Sequence, residues 1–174
     1  MTKKQRKILY PAILFLGLGL MILQIKIYRN TIIDSSILIG IILIVGIISF
    51  ILDYKNYGKT YKKSGVGLYF YSSLQYLLGY GFIVCSIFML TNYYLADKNP
   101  IEKTFEIVER SSLPGSKHNR EKRKPTFRIN YEGKEKELVF QHRYYAKMKS
   151  YKNVELEIRK GYFGFDILEN MKLN

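Results

Sequence analysis

The chain changes its hydrophobic rhythm once. Up to about residue 96 the apolar positions run together in long unbroken stretches; after residue 100 they alternate with polar ones. Ile8 to Ile25, ILYPAILFLGLGLMILQI, holds one polar side chain, Gln24, in 18 residues, and Ser35 to Leu52, SSILIGIILIVGIISFIL, is as long and carries no charge. Crossing a bilayer takes about 20 mostly apolar helical residues, with a lower limit near 17. Both runs therefore predict membrane-spanning helices. Lys26–Thr31 is short enough to make them a tight antiparallel hairpin, and Asp34, Ser35 and Ser36 offer capping oxygens to the second.

A third uncharged run, Gly65 to Ala96, would measure roughly 48 Å as one helix, against a hydrocarbon core of about 30 Å. The pattern predicts an interfacial helical lead-in over 65–76, rich in tyrosine, and a span over 77–94. That span closes on Tyr93 and Tyr94, where amphipathic rings suit the headgroup boundary. Two shorter helices are the alternative, although no turn or charge separates them.

Beyond Pro100 the period is two, which predicts strands. KTFEIVERSS sets Phe105 and Ile107 on one side. PTFRINYEG alternates Phe127, Ile129 and Tyr131 with polar residues and runs through Glu132-Gly133, a hairpin signal, into KEKELVF. NVELEIRKG places Val154, Leu156 and Ile158 inward, and YFGFDIL continues with Phe163, Phe165 and Ile167. QHRYYAKMKSYK, which lacks a strand period, suits a short helical turn. The expected fold is three transmembrane helices over residues 1–96 (spans 8–25, 35–52 and 77–94) plus a small α+β domain, mainly antiparallel β, over 97–174. That domain would be a half-open barrel or a sheet with one face covered.

Charge divides the same way. The chain carries a net +14. Residues 1–96 hold ten Lys/Arg but only two acids, Asp34 and Asp53, whereas residues 97–174 mix both signs. Lysine and arginine in short loops set orientation. Eight lie before the first span and between the second and third; Lys26, Arg29, Lys98, Lys103 and Arg110 lie on the other side. The excess predicts a cytoplasmic N-terminus and an extracytoplasmic C-terminal domain in the cell membrane. The first span reads as a retained anchor, since its apolar run is long for a signal peptide and no small-x-small site follows.

Two features stand out as candidate sites. Lys117, Arg120, Lys122, Arg123 and Lys124 crowd a loop between the first two expected strands, SSLPGSKHNREKRKPTF. A basic cluster of this kind suits anionic lipid, an envelope polyanion or an acidic partner, or is simply solvated. Long loops in compact domains are often functional. The predicted orientation turns the loop away from nucleic acid. The second feature is a strip of small residues at seven-residue spacing, Gly65, Ser72, Gly79 and Ser86, matched by Gly17, Gly19 and Gly40. Such strips let helices approach closely. It serves packing against the hairpin, or self-association and partner docking.

Catalytic chemistry is hard to assemble. His118 with Glu121 makes a poor metal pair, His142 suits the domain surface, and Ser111 and Ser112 lack a nucleophile-elbow context. Gly133, Gly161 and Gly164 mark turns, and Cys85 suits a small apolar filler. The spans show no ionisable group deeper than Asp34, which disfavours a pump or ion-coupled carrier. No catalytic residue, metal or cofactor is expected.

With its RSSLPGSK…REKRKP stretch, the chain resembles, in layout alone, small bacterial multi-span membrane proteins with a C-terminal β-rich domain. The resemblance spans the whole chain and implies no activity or functional residue. The expected function is therefore non-enzymatic: display of a basic β-rich domain that binds an anionic envelope component or a partner protein. The alternatives are an accessory or immunity-type subunit of a membrane complex that docks through the third helix, and a membrane-associated enzyme with a site between lead-in and domain.

Overall fold

The structure, a computed structural model, describes residues 1–174 apart from Ser116 and His118. The chain folds as two compact units, Met1–Tyr28 with Ile33–Ala96, and Asp97–Asn174 with Arg29–Ile32. The first unit consists of α1 (Lys3–Asn30), α2 (Ser35–Tyr61) and α3 (Gly65–Tyr94), each long and apolar enough to cross a membrane.

Helix α2 continues nine residues beyond the apolar run that ends at Leu52. The extension, DYKNYGKTY, contains no proline, and Tyr54, Tyr57 and Tyr61 recur at helical spacing. Tyr57 packs on Tyr61 and Tyr10 at centroid distances of 4.8 and 5.3 Å. Lys62 then enters the left-handed region, φ 53°, and ends the helix. Helix α3 is a continuous helical run with the expected boundary at 76/77 inside it. Its α-helical parts, Gly65–Gln75 and Phe82–Tyr94, flank a π-helical turn at Tyr76–Gly81.

That turn is where the three helices meet. A Cβ on Gly17 of α1 would overlap the Leu78 carbonyl oxygen and lie 2.7 Å from that of Gly79. One on Gly81 would lie 2.8 Å from the Ile42 carbonyl oxygen of α2. These contacts are to backbone, so they cannot be relieved by a rotamer change. Small residues therefore set the helix spacing, as in membrane bundles.

The second unit is a five-stranded, curled antiparallel sheet in the order β3-β2-β1-β4-β5: β1 (Ile101–Leu113), β2 (Lys124–Tyr131), β3 (Lys134–Val139), β4 (Asn153–Arg159) and β5 (Ile167–Leu173). Strand β1 is long because it serves two partners. Residues 101–106 pair with β4, and residues from Ile107 onward pair with β2, with a register shift between Ile107 and Glu109. A bulge bends its strand and increases the twist, which curls the two halves over one core. That core contains Phe127, Ile129, Val154 and Leu156, as the pattern predicts, together with Leu138 and Leu168, which it did not single out. The β2–β3 hairpin turns at Glu132 and Gly133, both with positive φ (49° and 86°), as a two-residue primed turn requires. A short 3₁₀ turn, His142–Tyr144, stands where a helical turn was expected.

The last strand departs from expectation. Gly164, φ 85°, tightens a turn closed by Gly164 N–H to the Gly161 carbonyl at 2.8 Å, so Phe163 belongs to the turn and the strand begins at Ile167. Of Phe163, Phe165 and Ile167, only Ile167 lies in the strand.

The domain boundary departs as well. Thr31 bridges to Ile167, Ile32 N–H donates to the Asp166 carbonyl (2.8 Å), and Lys136 Nζ of β3 donates to the Thr31 carbonyl (2.8 Å). Strands β3 and β5 are the two edges of the sheet, and the segment between α1 and α2 touches both. Unpaired strand edges are a liability in water, and this segment covers part of the β5 edge. Burial pushes the Lys136 ammonium below the usual lysine range. Nearby, Tyr131 donates to Asp166 Oδ2 at 2.7 Å, and burial together with that carboxylate pushes its phenol well above the usual tyrosine range.

Candidate functional site

The basic residues divide into three groups. Lys117, Arg120 and Lys122, with Asn119 and Glu121, line an open concavity of about 410 Å³ in the β1–β2 loop. Its rim is folded back on itself by Gly115 N–H to the Arg120 carbonyl (3.3 Å) and Lys122 N–H to the Asn119 carbonyl (3.1 Å). Arg123 has a different task. Its Nε donates to Ser112 Oγ (2.9 Å), and its carbonyl lies 2.8 Å from His142 Nδ1. A carbonyl only accepts, so Nδ1 carries the proton and donates. Arg123 and exposed His142 thus tie the loop to β1 and to the 3₁₀ turn. His118, which with Glu121 made only a poor metal pair in the sequence, lies outside the described residues.

Lys124 opens β2 and faces a separate cleft of about 500 Å³. Arg29, Asn30 and Gln141 add polar groups to its wall, and Leu113, Val139 and Met171 add apolar ones. Glu137 is the acid in that lining, and it also borders the strand cation Arg128. Several strand cations lie beside carboxylates: Arg159 Nη2 lies 2.7 Å from Glu169 Oε1, Lys103 lies 3.4 Å from Glu132, and Arg128 pairs with Glu109. The loop concavity is different, with three cations around one carboxylate.

Of the small-residue strip, Ser72, Gly79 and Ser86 are buried within the helical unit and Gly65 is exposed. A Cβ on Gly79 would lie 3.0 Å from Ile13 Cγ2, so this position faces α1. Ser72 Oγ donates to the Leu68 carbonyl at 2.5 Å. Cys85, beside Ser86, is wholly buried and accepts from Gln24 Nε2 at 3.8 Å.

Sequence reasoning missed a polar cluster. With α2 extended, Asp53 sits inside a helix, not at its end. Tyr10 and Tyr76 both donate to its Oδ2, at 2.7 and 3.0 Å, and Asn56 Nδ2 donates to Oδ1 at 2.7 Å. Gln75 Nε2 donates to the Tyr10 carbonyl at 2.8 Å. Asp53 and Asn56 lie one helical turn apart, a spacing visible in the sequence; the tyrosines come from two other helices. The two tyrosines are almost fully buried, and their hydrogen bonds to Asp53 tie three helices together.

The cleft was missed for a similar reason, since its wall joins Arg29 to residues a hundred positions away. The aromatic residues among the basics are largely committed: Tyr144 and Tyr151 pack edge to face on Phe140 and Phe127. No known family model, curated protein or solved structure matches this chain.

Proposed function

We propose that the protein is a multi-pass membrane protein that works by binding, holding its basic β domain at the extracytoplasmic face to engage an anionic envelope component. The observation that carries this reading is the loop concavity of Lys117, Arg120 and Lys122, an exposed cationic surface with one carboxylate, on a domain whose strand cations Lys103, Arg128 and Arg159 lie beside carboxylates. Insertion is supported by the inverted polarity of the helical unit, with Phe15 71% and Leu52 77% exposed while Asn92 and Ser86 are fully buried. Contiguous apolar surface on that scale is rare on proteins that face water. A common side for the α1–α2 segment and residues 97–174 is supported by their folding into one unit, with α2 and α3 as the two crossings between them.

The full chain in zwitterionic nanodiscs should capture heparin, used as a soluble polyanion probe. Capture should collapse as ionic strength rises from about 0.1 to 1 M and the screening length falls from about 10 to 3 Å. A triple variant, Lys117→Gln, Arg120→Gln and Lys122→Gln, should lose it at low salt. Capture that survives both changes sinks the reading. For orientation, a cysteine at Asn119 in a Cys85→Ser background should react with an impermeant maleimide on intact cells; labelling only after lysis places the loop in the cytoplasm.

A second reading, an accessory subunit of a membrane complex, is favoured by an apolar groove of about 360 Å³ on the helical unit between Gly46, Ile47, Phe50, Ser73 and Leu77. Ser73→Leu should then abolish co-purification of a partner and leave the β domain folded.

A further inference from the structure

We propose that the cleft walled by Arg29, Lys124, Asn30 and Gln141 is a binding site for the headgroup of an anionic glycerophospholipid. The inference rests on the membrane reading of the helices above and names a ligand class and a second site for the same domain. Four observations converge on it.

The first is size and chemistry. About 500 Å³ is within the range of small-molecule sites, which are typically concave and apolar with a few convergent polar groups. Here the convergent groups are two cations and two side-chain amides, and the apolar ones are Leu113, Val139 and Met171. A phosphodiester accepts hydrogen bonds and carries negative charge. Arg29 supplies a planar fork of donors and Lys124 a compact ammonium, and both residue types bind phosphate well.

The second is depth. Arg29 lies in the last turn of α1, four residues beyond Ile25, where the uninterrupted apolar run ends. At 1.5 Å per residue this is about 6 Å along the axis. The polar layer of a bilayer is about 5 to 8 Å thick on each side of the hydrocarbon. If α1 spans, Arg29 stands at the level of the lipid phosphates by covalent geometry alone.

The third is the apolar share of the wall. Leu113 and Val139 are 42% and 39% exposed, and they are useless to an inorganic or sugar phosphate. Beside a phosphate held by Arg29 and Lys124 they suit the glycerol backbone and the first acyl methylenes. The amides of Asn30 and Gln141 suit ester carbonyls and headgroup hydroxyls. The fourth is sign. Two cations against Glu137 leave the wall net positive, and Glu137 also neighbours Arg128. The ligand is therefore a lipid with net negative charge, not a zwitterion.

The test is native mass spectrometry of the full chain in detergent, titrated with short-chain phosphatidylglycerol, phosphatidylcholine of the same chain length, and glycerophosphate. One phosphatidylglycerol should bind per chain, roughly tenfold or more tighter than phosphatidylcholine. The pair Arg29→Gln and Lys124→Gln should weaken it by roughly tenfold or more, as expected for loss of charge-assisted hydrogen bonds. Val139→Asn, a neutral polar change at an exposed position, should weaken the lipid but not glycerophosphate. Equal binding of phosphatidylcholine, unchanged binding by the Arg29/Lys124 variant, or glycerophosphate binding as tightly as the lipid each overturns the proposal. The two sites fail separately. If the Lys117, Arg120 and Lys122 variant loses the lipid and the Arg29/Lys124 variant keeps it, the headgroup belongs to the loop and the cleft assignment falls. If heparin capture fails and the one-to-one lipid complex persists, the loop reading falls and the cleft stands.

Discussion

The helical unit exposes its large apolar residues and buries polar ones among its core; the β unit does largely the reverse. Inside the helical unit lie Gln24, Ser72, Gln75, Ser86 and Asn92, with the Asp53 carboxylate tied to two tyrosines; outside lie Phe15, Ile22, Leu23, Leu52 and Val66. Inside the β unit lie Phe127, Ile129, Val154 and Leu156, while most of its charges face out. The difference teaches which force holds each together. The sheet closes by removing apolar surface from water. In the membrane proposed above, whose interior is itself apolar, the helices would gain little from that. There they would rely on close backbone approach at Gly17 and Gly81 and on hydrogen bonds between side chains of different helices.

The sharpest way to break this comparison is to make one truncation in both units. Phe127→Ala removes a ring with no exposed surface and should cost the β unit about 3–5 kcal/mol. Phe15→Ala, on the outer face of α1, should cost under about 0.5 kcal/mol in detergent, as surface substitutions do. Equilibrium denaturation of the full chain, followed by separate probes in each unit, measures both; a large loss from Phe15→Ala would mean that face is covered by protein.

Next in size is glycine packing. Gly17→Ala places a methyl against backbone oxygens of α3 and should cost about 1–3 kcal/mol, whereas Gly19→Ala, with open space around it, should be neutral or slightly stabilising. Thermal unfolding of the helical unit reads the pair, and equal effects would remove the close-approach explanation.

The smallest effect concerns pH. Tyr131 keeps its proton in the folded state to higher pH than in the unfolded chain, because burial and Asp166 disfavour the phenolate. The folded state therefore binds more protons above about pH 10, and stability is lost as pH climbs from there. Below that pH its contribution is complete. Tyr131→Phe should cost about 1 kcal/mol at neutral pH through the lost hydrogen bond, and should flatten the alkaline decline. A decline of unchanged steepness would assign it to other groups.

Much of this was legible along the chain. The three helices, the Glu132-Gly133 turn and the alternation of Phe127, Ile129 and Tyr131 follow from periods of a few residues, which neighbouring positions encode. Where the reading slipped, a local signal was outvoted. Residues 53–61 look polar, yet they stay helical because their tyrosines pack on Tyr10 and Tyr76. Phe163 looks like strand, yet Gly164 turns the backbone there. The basic loop was plain in the sequence; that Arg123 is spent tying it down through Ser112 and His142 was not.

By itself, then, the sequence determined where helices and strands form and which residues are charged, because short-range periodicity and composition suffice for that. Tertiary structure alone decided that Arg29–Ile32 belong to the β unit, that Arg29 and Lys124 share a cleft, and that Asp53 meets Tyr10 and Tyr76. Each of those joins positions tens of residues apart. Such contacts form only when the chain closes long loops against their entropy, and no window of neighbouring residues carries a trace of them.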